Sequence, residues 1–292
     1  MGTLREILDP QFALRNSVYI SLLVGLTCPL VGVYLILRRL IFMGVALPQI
    51  SSAGIALAFA LPAFGLLGHG HVAHFEGDER VVAFIGALSL TLGALLALAL
   101  LEQHDRSRVE GRIGMAYALA GAASILFLVK NPAGERGMLD LLKGEIIAVP
   151  DVDLLLTLLV FGFVVVHLLA FQKEFLLVSF DRDMAVTLKK RVLFWDCFLF
   201  LLIGLTISVA VLSVGPLVAF GFLLLPALVA YHWAGTMRGL LILSSTVGVL
   251  AAFAGFVIAY RYDLPVGPTD VALLGAMLGV SSLVRLLTKP RG

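Results

Sequence analysis

Histidine and acidic side chains are concentrated in one short segment, residues 68–80, which reads GHGHVAHFEGDER. The histidines and acids in it are His69, His71, His74, Glu76, Asp78 and Glu79. Neutral imidazole and carboxylate groups are ligands for zinc and neighbouring first-row divalent metals. A flexible loop does not fix a coordination geometry, and the segment has no cysteine, so a solvated loop is the alternative interpretation. The pattern predicts either a transient metal site, with His69, His71 and His74 as ligands, or a solvated loop.

A second candidate is the stretch Arg38–Leu61, in which Gly, Pro, Gln and Ser stand between two apolar runs. Every backbone polar group in a bilayer core must be satisfied, so such residues are tolerated there mainly where helices pack closely or line a cavity. We therefore predict that this stretch lines a substrate path. The candidate path residues are Val45, Gln49, Ser51 and Ser52. Because the polar three are uncharged, hydrogen bonding between helices is the alternative role.

Few ionisable residues fall inside the apolar stretches, and each has a structural alternative to a functional role. Asp270 follows Gly-Pro-Thr at the expected start of a helix, where an acidic side chain is favoured as a cap. Asp196 follows Lys189, Lys190 and Arg191 at another helix start, and the same interpretation applies. His167 lies near a predicted membrane surface, where it can face the lipid headgroups.

Composition defines the class of protein that must position these residues. The chain has 292 residues, of which 60% are hydrophobic and only 14% charged, and its mean hydropathy is +1.05. A soluble domain has roughly a quarter of its residues charged, so this is a polytopic membrane protein of all-α fold. The Lys and Arg residues form no polybasic run, so nucleic acid is not an expected partner. The expected partner is the lipid bilayer.

Nine apolar stretches are long enough for a helix to cross a bilayer, which needs about 17 to 25 residues. They are Ser17–Leu37, Val45–Leu67, Val81–Leu101, Ile113–Val129, Leu154–Phe171, Leu193–Leu212, Leu217–Trp233, Leu240–Tyr260 and Val271–Leu287. No soluble domain interrupts them, so residues 1–292 are expected to form a single transmembrane domain. Only residues 213–216 separate the sixth and seventh stretches, so one of the two could be a re-entrant helix and the number of spans eight.

The orientation follows from the distribution of basic residues in a nine-span chain. One side collects 14 of the 21 Lys and Arg residues and the other side 7. The richer side is expected to be cytoplasmic, which places the N-terminus outside and the C-terminus inside. The polar start Met1–Asn16 has no basic segment followed by a cleavage site, so no removable signal peptide is expected. Cys28 and Cys197 stand in apolar surroundings without a pairing pattern and are expected to be buried free thiols.

Five segments carry a resemblance to a known family. They are Phe42–Ala56, similar to F-x-G-D-A-L-x-H-A-x-x-P-G-V-A; Leu141–Val149, similar to L-L-x-G-x-I-L-x-V; Ser179–Ala185, similar to S-F-D-P-E-x-A; Val214–Ala227, similar to V-G-x-L-L-v-x-A-L-L-v-x-P-A; and Tyr260–Thr269, similar to Y-Y-L-D-L-P-x-G-P-T. In this order and spacing they resemble the ABC-type permeases that import zinc, manganese or iron. Among the departures from the family pattern, Val45 replaces its Asp, Gln49 its His, and Arg182 its Pro. The chain is therefore divergent at the metal-path motif.

The resemblance implies a multi-pass protein of the bacterial inner membrane that works with other subunits. No phosphate-binding loop G-x-x-x-x-G-K-[ST] occurs, so ATP hydrolysis is expected in separate ABC ATPase subunits, and no catalytic residue or cofactor in this chain. The other implied partners are an extracytoplasmic substrate-binding protein and a second permease chain, identical or different. The segment after Ser179 is expected to contain a short polar helix ending at Lys189–Arg191 that an ATPase can grip, and a charged loop is the alternative. The candidate docking residues are Phe180, Asp181, Arg182, Asp183, Lys189, Lys190 and Arg191.

Three functions are compatible with these observations. The first is the permease of an ATP-driven importer of divalent metal ions (zinc, manganese or iron). The second is the same architecture with a non-metal or otherwise changed cargo, which Val45 and Gln49 favour. The third is a secondary transporter or membrane-embedded enzyme, which would need a relay of buried charges that the sequence largely lacks.

Overall fold

The computed structural model describes residues 12, 14–61, 76–102, 109–130 and 149–288, and within these ranges the chain forms eleven helices and no strand. The helices are α1 Arg15–Leu37, α2 Ile41–Ala60, α3 Glu76–Glu102, α4 Val109–Lys130, α5 Asp151–Ala170, α6 Gln172–Phe180, α7 Arg182–Thr187, α8 Val192–Val214, α9 Pro216–Trp233, α10 Met237–Tyr262 and α11 Val266–Thr288. His69, His71, His74, the N-terminal residues 1–11 and most of the 141–149 motif lie outside the described residues.

Among the described helices, eight have the length and hydropathy to cross a membrane, namely α1, α2, α4, α5 and α8 to α11. Helix α3 has 27 residues and includes the shorter apolar stretch Val81–Ala97. The predicted fold class, an all-α membrane bundle of about nine spans, is confirmed. All nine long helices among the described residues begin one to five residues earlier than the apolar stretches indicated, and α2, for example, begins at Ile41 and α11 at Val266. The assignment of residues 1–292 to one permease domain stays a prediction.

The turn between α8 and α9 consists of one residue, Gly215, whose φ of 81° is accessible to glycine at no steric cost. Pro216 then occupies the first position of α9, where its missing N–H is not needed. Helix α9 continues for 18 residues to Trp233. Its length and hydropathy are those of a crossing helix, unlike the re-entrant segment that the sequence left open.

Side-chain contacts sort the helix ends into two groups. Asn16 Nδ2, at the start of α1, donates to Asp151 Oδ1 at the start of α5 (2.8 Å). At the other end of these helices, Arg38 after α1 contacts Asp196 at the start of α8. We call the end that contains Arg38 the basic end, because Arg112, Lys173, Arg191, Arg238 and Arg285 also lie at helix ends on that side. The end that contains Asn16 and Asp151 is the opposite end.

Close helix contacts depend on glycine. A Cβ on Gly25 of α1 would lie 2.7 Å from the carbonyl oxygen of Gly248 on α10. A Cβ on Gly54 of α2 would likewise overlap the backbone of Gly86 on α3. Small residues let membrane helices approach until their backbones touch, which maximises dispersion contact where no hydrophobic effect drives association. These contacts place α1 and α2 in the interior of the bundle.

Burial distinguishes a central group of helices from a peripheral one. Helices α1, α2, α8 and α9 contribute most of the fully buried side chains, including Tyr34, Leu47, Leu199 and Phe222. Helices α4, α5 and α11 expose most of their apolar surface, as expected for helices that face lipid or another chain. Cys28 is buried as predicted, whereas Cys197 is exposed, so the prediction of two buried thiols is wrong for Cys197.

Candidate functional site

Helix α2 carries the predicted path residues and packs mainly against α3 and α4, with further contacts to α8 and α9. Pro48 lies inside this helix. Proline has no N–H, so the carbonyl of Gly44, one turn earlier, lacks its usual helical donor. The interruption of the hydrogen-bond ladder therefore falls beside Val45 and Gln49, the positions that replace the Asp and His of the family pattern.

Val45 and Gln49 are half-buried and lie one turn apart on the same face of α2. A Cβ placed on Gly121 of α4 would lie 3.6 Å from Nε2 of Gln49, and a Cβ on Gly114 would lie 3.9 Å from the Phe42 ring. Phe42 and Gln49 are seven residues apart, and so are Gly114 and Gly121. Helices α2 and α4 therefore run side by side in the same direction. The Gln49 amide therefore lies along the groove between α2 and α4.

The two serines do not share one face with these residues. Ser52 is seven residues from Val45, so it is on the same side of α2, and it is buried. Ser51 is two residues from Gln49 and points to the opposite side, where it is fully buried. Its hydroxyl has no hydrogen-bond partner among the described residues. The structure thus brings Val45, Gln49 and Ser52 together and separates Ser51 from them.

The histidine segment contributes no described site. Its three histidines lie outside the described residues, and so the predicted metal ligands His69, His71 and His74 stay predictions. Within the part of the chain that the structure does describe, no group of three or more His, Cys, Asp or Glu side chains could hold a metal ion.

Residues 172–191 form two short helices, α6 and α7, at the basic end. Asp181 connects them and caps α7, because its Oδ1 accepts a hydrogen bond from the N–H of Met184 (2.9 Å). Helix α7 ends at Thr187, so the prediction of a helix that runs to Lys189–Arg191 is wrong. Lys189 adopts a left-handed conformation with φ 53°, which turns the chain toward α8.

Apolar and charged side chains alternate on the exposed surface of this segment. Phe180, Met184, Val186 and Leu188 are all more than half exposed, and Phe180 reaches 71%. The charged residues Asp181, Asp183, Lys189, Lys190 and Arg191 are exposed among them. The inner side is anchored by Val178, Ala185 and Val192, which form a buried cluster with Leu177 and Trp195. The segment is thus fixed to the bundle and presents a mixed surface outward.

Arg38 links three elements at the basic end, an arrangement that the sequence analysis did not predict. Its Nη2 lies 2.7 Å from Oδ1 of Asp196 on α8, and its Nε donates to Oγ of Ser179 on α6 (3.0 Å). The guanidinium carbon also lies 5.2 Å from the ring centroid of Phe200. Asp196 is buried and ion-paired, so its interpretation as a helix cap is wrong. Opposite charges at the same predicted depth and on the same side were the signal available in the sequence.

Asp270 is the corresponding buried acid at the opposite end. Helix α11 begins at Val266, so Asp270 lies inside the helix rather than at its cap position, and the predicted capping role is wrong. The side chain is fully buried, and neither carboxyl oxygen has a hydrogen-bond partner among the described residues. The carboxyl group packs against Gly255 of α10, where a Cβ would overlap it.

His167 lies among aromatic rings. Its ring lies against that of Phe163, with centroids 4.0 Å apart and planes tilted by 39°, and the rings of Phe171 and Phe198 lie within 6.1 Å. Its Nδ1–H donates to the carbonyl of Phe163 in the same helix (2.8 Å). These contacts hold the imidazole between its own helix α5 and Phe198 of α8.

Comparison with known proteins gives three concordant results. The ABC 3 transport family matches residues 11–285. The chain is 27% identical over 265 residues to the manganese import system permease protein ScaB of Streptococcus gordonii, covering 91% of this chain and 88% of that protein. It is also 27% identical to the manganese transport system membrane protein MntC of Listeria monocytogenes, covering 88% and 85% of the two chains.

A solved structure has the same fold. The chain superposes on PsaBC from Streptococcus pneumoniae, solved in complex with Fab, with a TM-score of 0.80 and 26% identity. The superposition covers 99% of this chain and 96% of that one. The similarity therefore extends over the whole bundle, including the short helices α6 and α7.

Proposed function

We propose a metal-import function for this chain, which belongs to the ABC 3 transport family and is a multi-pass permease of the bacterial plasma membrane. In this proposal it is the permease subunit of an ATP-driven importer of divalent metal ions, with manganese as the foremost cargo among manganese, zinc and iron. The observation that carries the proposal is segment 172–191 at the basic end, which is anchored to the bundle on one side and exposed on the other. It gives a transmembrane bundle without an ATP site a surface through which a separate ATPase can act.

The outer surface of segment 172–191 has the composition of a protein interface. Phenylalanine and methionine are enriched in the centres of such interfaces, and an exposed apolar patch bordered by polar residues marks an interaction site. Phe180 and Met184 supply the apolar centre, while Asp181, Asp183 and the Lys189–Arg191 run supply the charged border. The charges also make burial of this surface in lipid unfavourable. We therefore infer that ATPase subunits dock here and that the basic end is cytoplasmic.

The face of α2 that carries Val45, Gln49 and Ser52 supports a path shared between two permease chains. Val45 and Gln49 are only half-buried in a single chain, although they lie in the apolar part of a crossing helix. Polar side chains at membrane depth face a bundle interior or a cavity. A second permease chain, identical or different, would cover this face, and an extracytoplasmic binding protein would deliver the cargo at the opposite end.

The chemistry of this face favours manganese over zinc. Gln49 and Ser52 offer neutral oxygen atoms, Val45 offers no ligand, and the carbonyl of Gly44 lacks its helical donor. Oxygen ligands suit magnesium, calcium and manganese, whereas zinc prefers nitrogen and sulfur. The same neutral surface also favours the second candidate function, a permease of this architecture with a non-metal cargo, because a divalent ion there meets no anionic ligand.

Transport by the reconstituted complex tests the proposal. The permease is purified with its cognate ATPase and placed in proteoliposomes, and ATP-dependent uptake of radioactive manganese and zinc is measured. We expect manganese uptake by the unmodified chain.

Val45→Asp combined with Gln49→His should raise metal uptake, and zinc uptake most. Equal rates for the unmodified and doubly substituted chains would show that Val45 and Gln49 do not form the constriction. Absence of any ATP-driven metal uptake would favour the non-metal cargo.

Docking is tested in the same preparation. Phe180→Ala should weaken ATPase association by about tenfold, because aromatic side chains at the centre of an interface carry much of its binding energy. Leu287→Ala is the matched control, since Leu287 is equally apolar, 77% exposed and near the same end, but lies on α11 away from segment 172–191. Equal association of both variants would contradict docking at Phe180.

A further inference from the structure

Arg38 joins the segment proposed for docking to the bundle through hydrogen bonds to two different residues. Nε binds the Ser179 hydroxyl at 3.0 Å, while Nη2 binds the Asp196 carboxylate at 2.7 Å. Ser179 is the next-to-last residue of α6 and lies two positions before Asp181, the cap of α7. The side chains of Arg38 and Asp196 are only 10% and 9% exposed, so water screens this ion pair little.

The backbone connects Arg38 rigidly to α2. The N–H of Arg39 donates to the carbonyl of Ile36 (3.0 Å), and the N–H of Leu40 donates to the carbonyl of Leu35 (2.9 Å). These two bonds form a Schellman motif, in which Arg39 takes the left-handed position with φ 59°. Helix α2 begins directly afterwards at Ile41. Val45 and Gln49 then follow about 6 Å and 12 Å along the helix axis.

The continuity between these contacts has a mechanical consequence. A displacement of α6 or α7 moves Ser179, and the hydrogen bond to Nε transfers that displacement to Arg38. The Schellman turn offers few free dihedrals, so the start of α2 moves with Arg38. Asp196 holds the guanidinium against α8 and keeps both donors pointed at their acceptors.

We propose that Arg38 is the positioning residue that couples the ATPase-docking segment to the path helix α2. This inference rests on the proposed function. Arginine suits the role because its planar group presents several donors in a fixed geometry and can bind Asp196 and Ser179 at once. Lysine offers a single point charge on a flexible chain, so it would keep the attraction to Asp196 and lose the fixed link to Ser179. An apolar pair would keep the packing and lose both contacts.

The test separates coupling from stability with a double substitution. Replacing a buried ion pair by apolar residues of similar size is often neutral or stabilising, so Arg38→Met with Asp196→Leu is expected to fold and bind the ATPase as the unmodified chain does. Metal transported per ATP hydrolysed should fall by about fivefold, which is within the usual range for residues that carry coupling between sites. Arg38→Lys should retain assembly and lose about twofold in the same ratio.

Arg238→Met is the matched control, because it removes an exposed positive charge at the same end of the bundle, at the start of α10 and outside the turn between α1 and α2. It should leave the transport ratio unchanged.

Unchanged coupling in the R38M/D196L chain would overturn the inference while the proposed function stands, because the unmodified complex would still transport. Parallel loss of assembly and transport in R38M/D196L would assign the pair a structural role and also overturn it. An unmodified complex that neither binds the ATPase nor transports metal would overturn the proposed function itself.

Discussion

The two ends of the bundle each contain a buried aspartate, but the surroundings of the two side chains differ. Asp196 and Asp270 each occupy the fifth position of a long apolar helix, and both are buried. Asp196 lies 2.7 Å from the guanidinium of Arg38, whereas Asp270 has no hydrogen-bond partner among the described residues and packs against Gly255. Position in the helix therefore does not determine the role of a buried aspartate. Its role depends on the residue that a neighbouring helix places beside it.

The difference has an energetic meaning. Removing one member of a buried ion pair leaves an uncompensated charge, which costs about 3–5 kcal/mol. A carboxyl group without a partner contributes no such attraction. Replacing it with a neutral group of the same shape therefore changes the free energy of unfolding little. The basic end thus depends on a charge pair, while the opposite end depends on close packing around Asp270.

Substitution of each aspartate by asparagine gives the largest expected contrast. Asp196→Asn should destabilise the protein by about 3 kcal/mol because Arg38 stays buried without its counter-charge. Asp270→Asn should change stability by less than about 1 kcal/mol, since the amide has nearly the same size and no ion pair is lost. Thermal unfolding can be followed by thiol labelling of buried Cys28 in a Cys197→Ser background. Equal destabilisation by the two substitutions would reveal a charged partner for Asp270 outside the described residues.

A packing test should have an intermediate effect. Gly255→Ala places a methyl group where the Asp270 carboxyl lies, and such overpacking typically costs about 1–3 kcal/mol. Gly275→Ala on α11 is the control, because a Cβ at Gly275 meets nothing within 4 Å. The same thiol-labelling assay compares them. The close packing around Asp270 would be disproved if Gly255→Ala were as stable as Gly275→Ala.

The turns at the two ends should show the smallest effect. Arg39 at the basic end and Asp263 at the opposite end both adopt φ values in the left-handed region, 59° and 53°. Aspartate tolerates this conformation better than arginine does. Arg39→Gly should therefore stabilise the protein by about 0.5–1 kcal/mol, and Asp263→Gly should gain less. A loss of stability in Arg39→Gly would show that strain at this turn is negligible.

Much of the fold was predictable because a membrane imposes a simple rule on sequence. Segments that cross the lipid must be long, apolar and helical, and these features are local, so the nine stretches each overlap one long helix in the described part of the chain. The one-residue turn at Gly215-Pro216 was also visible, since glycine and proline are suited to the end of one helix and the start of the next. The motif at residues 179–185 predicted a short helix, but this helix ends at Thr187, and Lys189 then adopts a left-handed conformation that propensity does not indicate.

The sequence by itself determined the class of protein, the family and the chemical character of the predicted path positions, because these depend on composition, motif order and residue type. Only the tertiary structure decided which polar groups meet. Ser179 and Asp196 lie 141 and 158 positions from Arg38 in the chain and meet it through helix packing. Local sequence cannot distinguish a buried acid that finds a counter-charge from one that meets a glycine, since the partner belongs to another helix in each case. For that reason Asp196 and Asp270 looked alike in the sequence and differ in the folded chain.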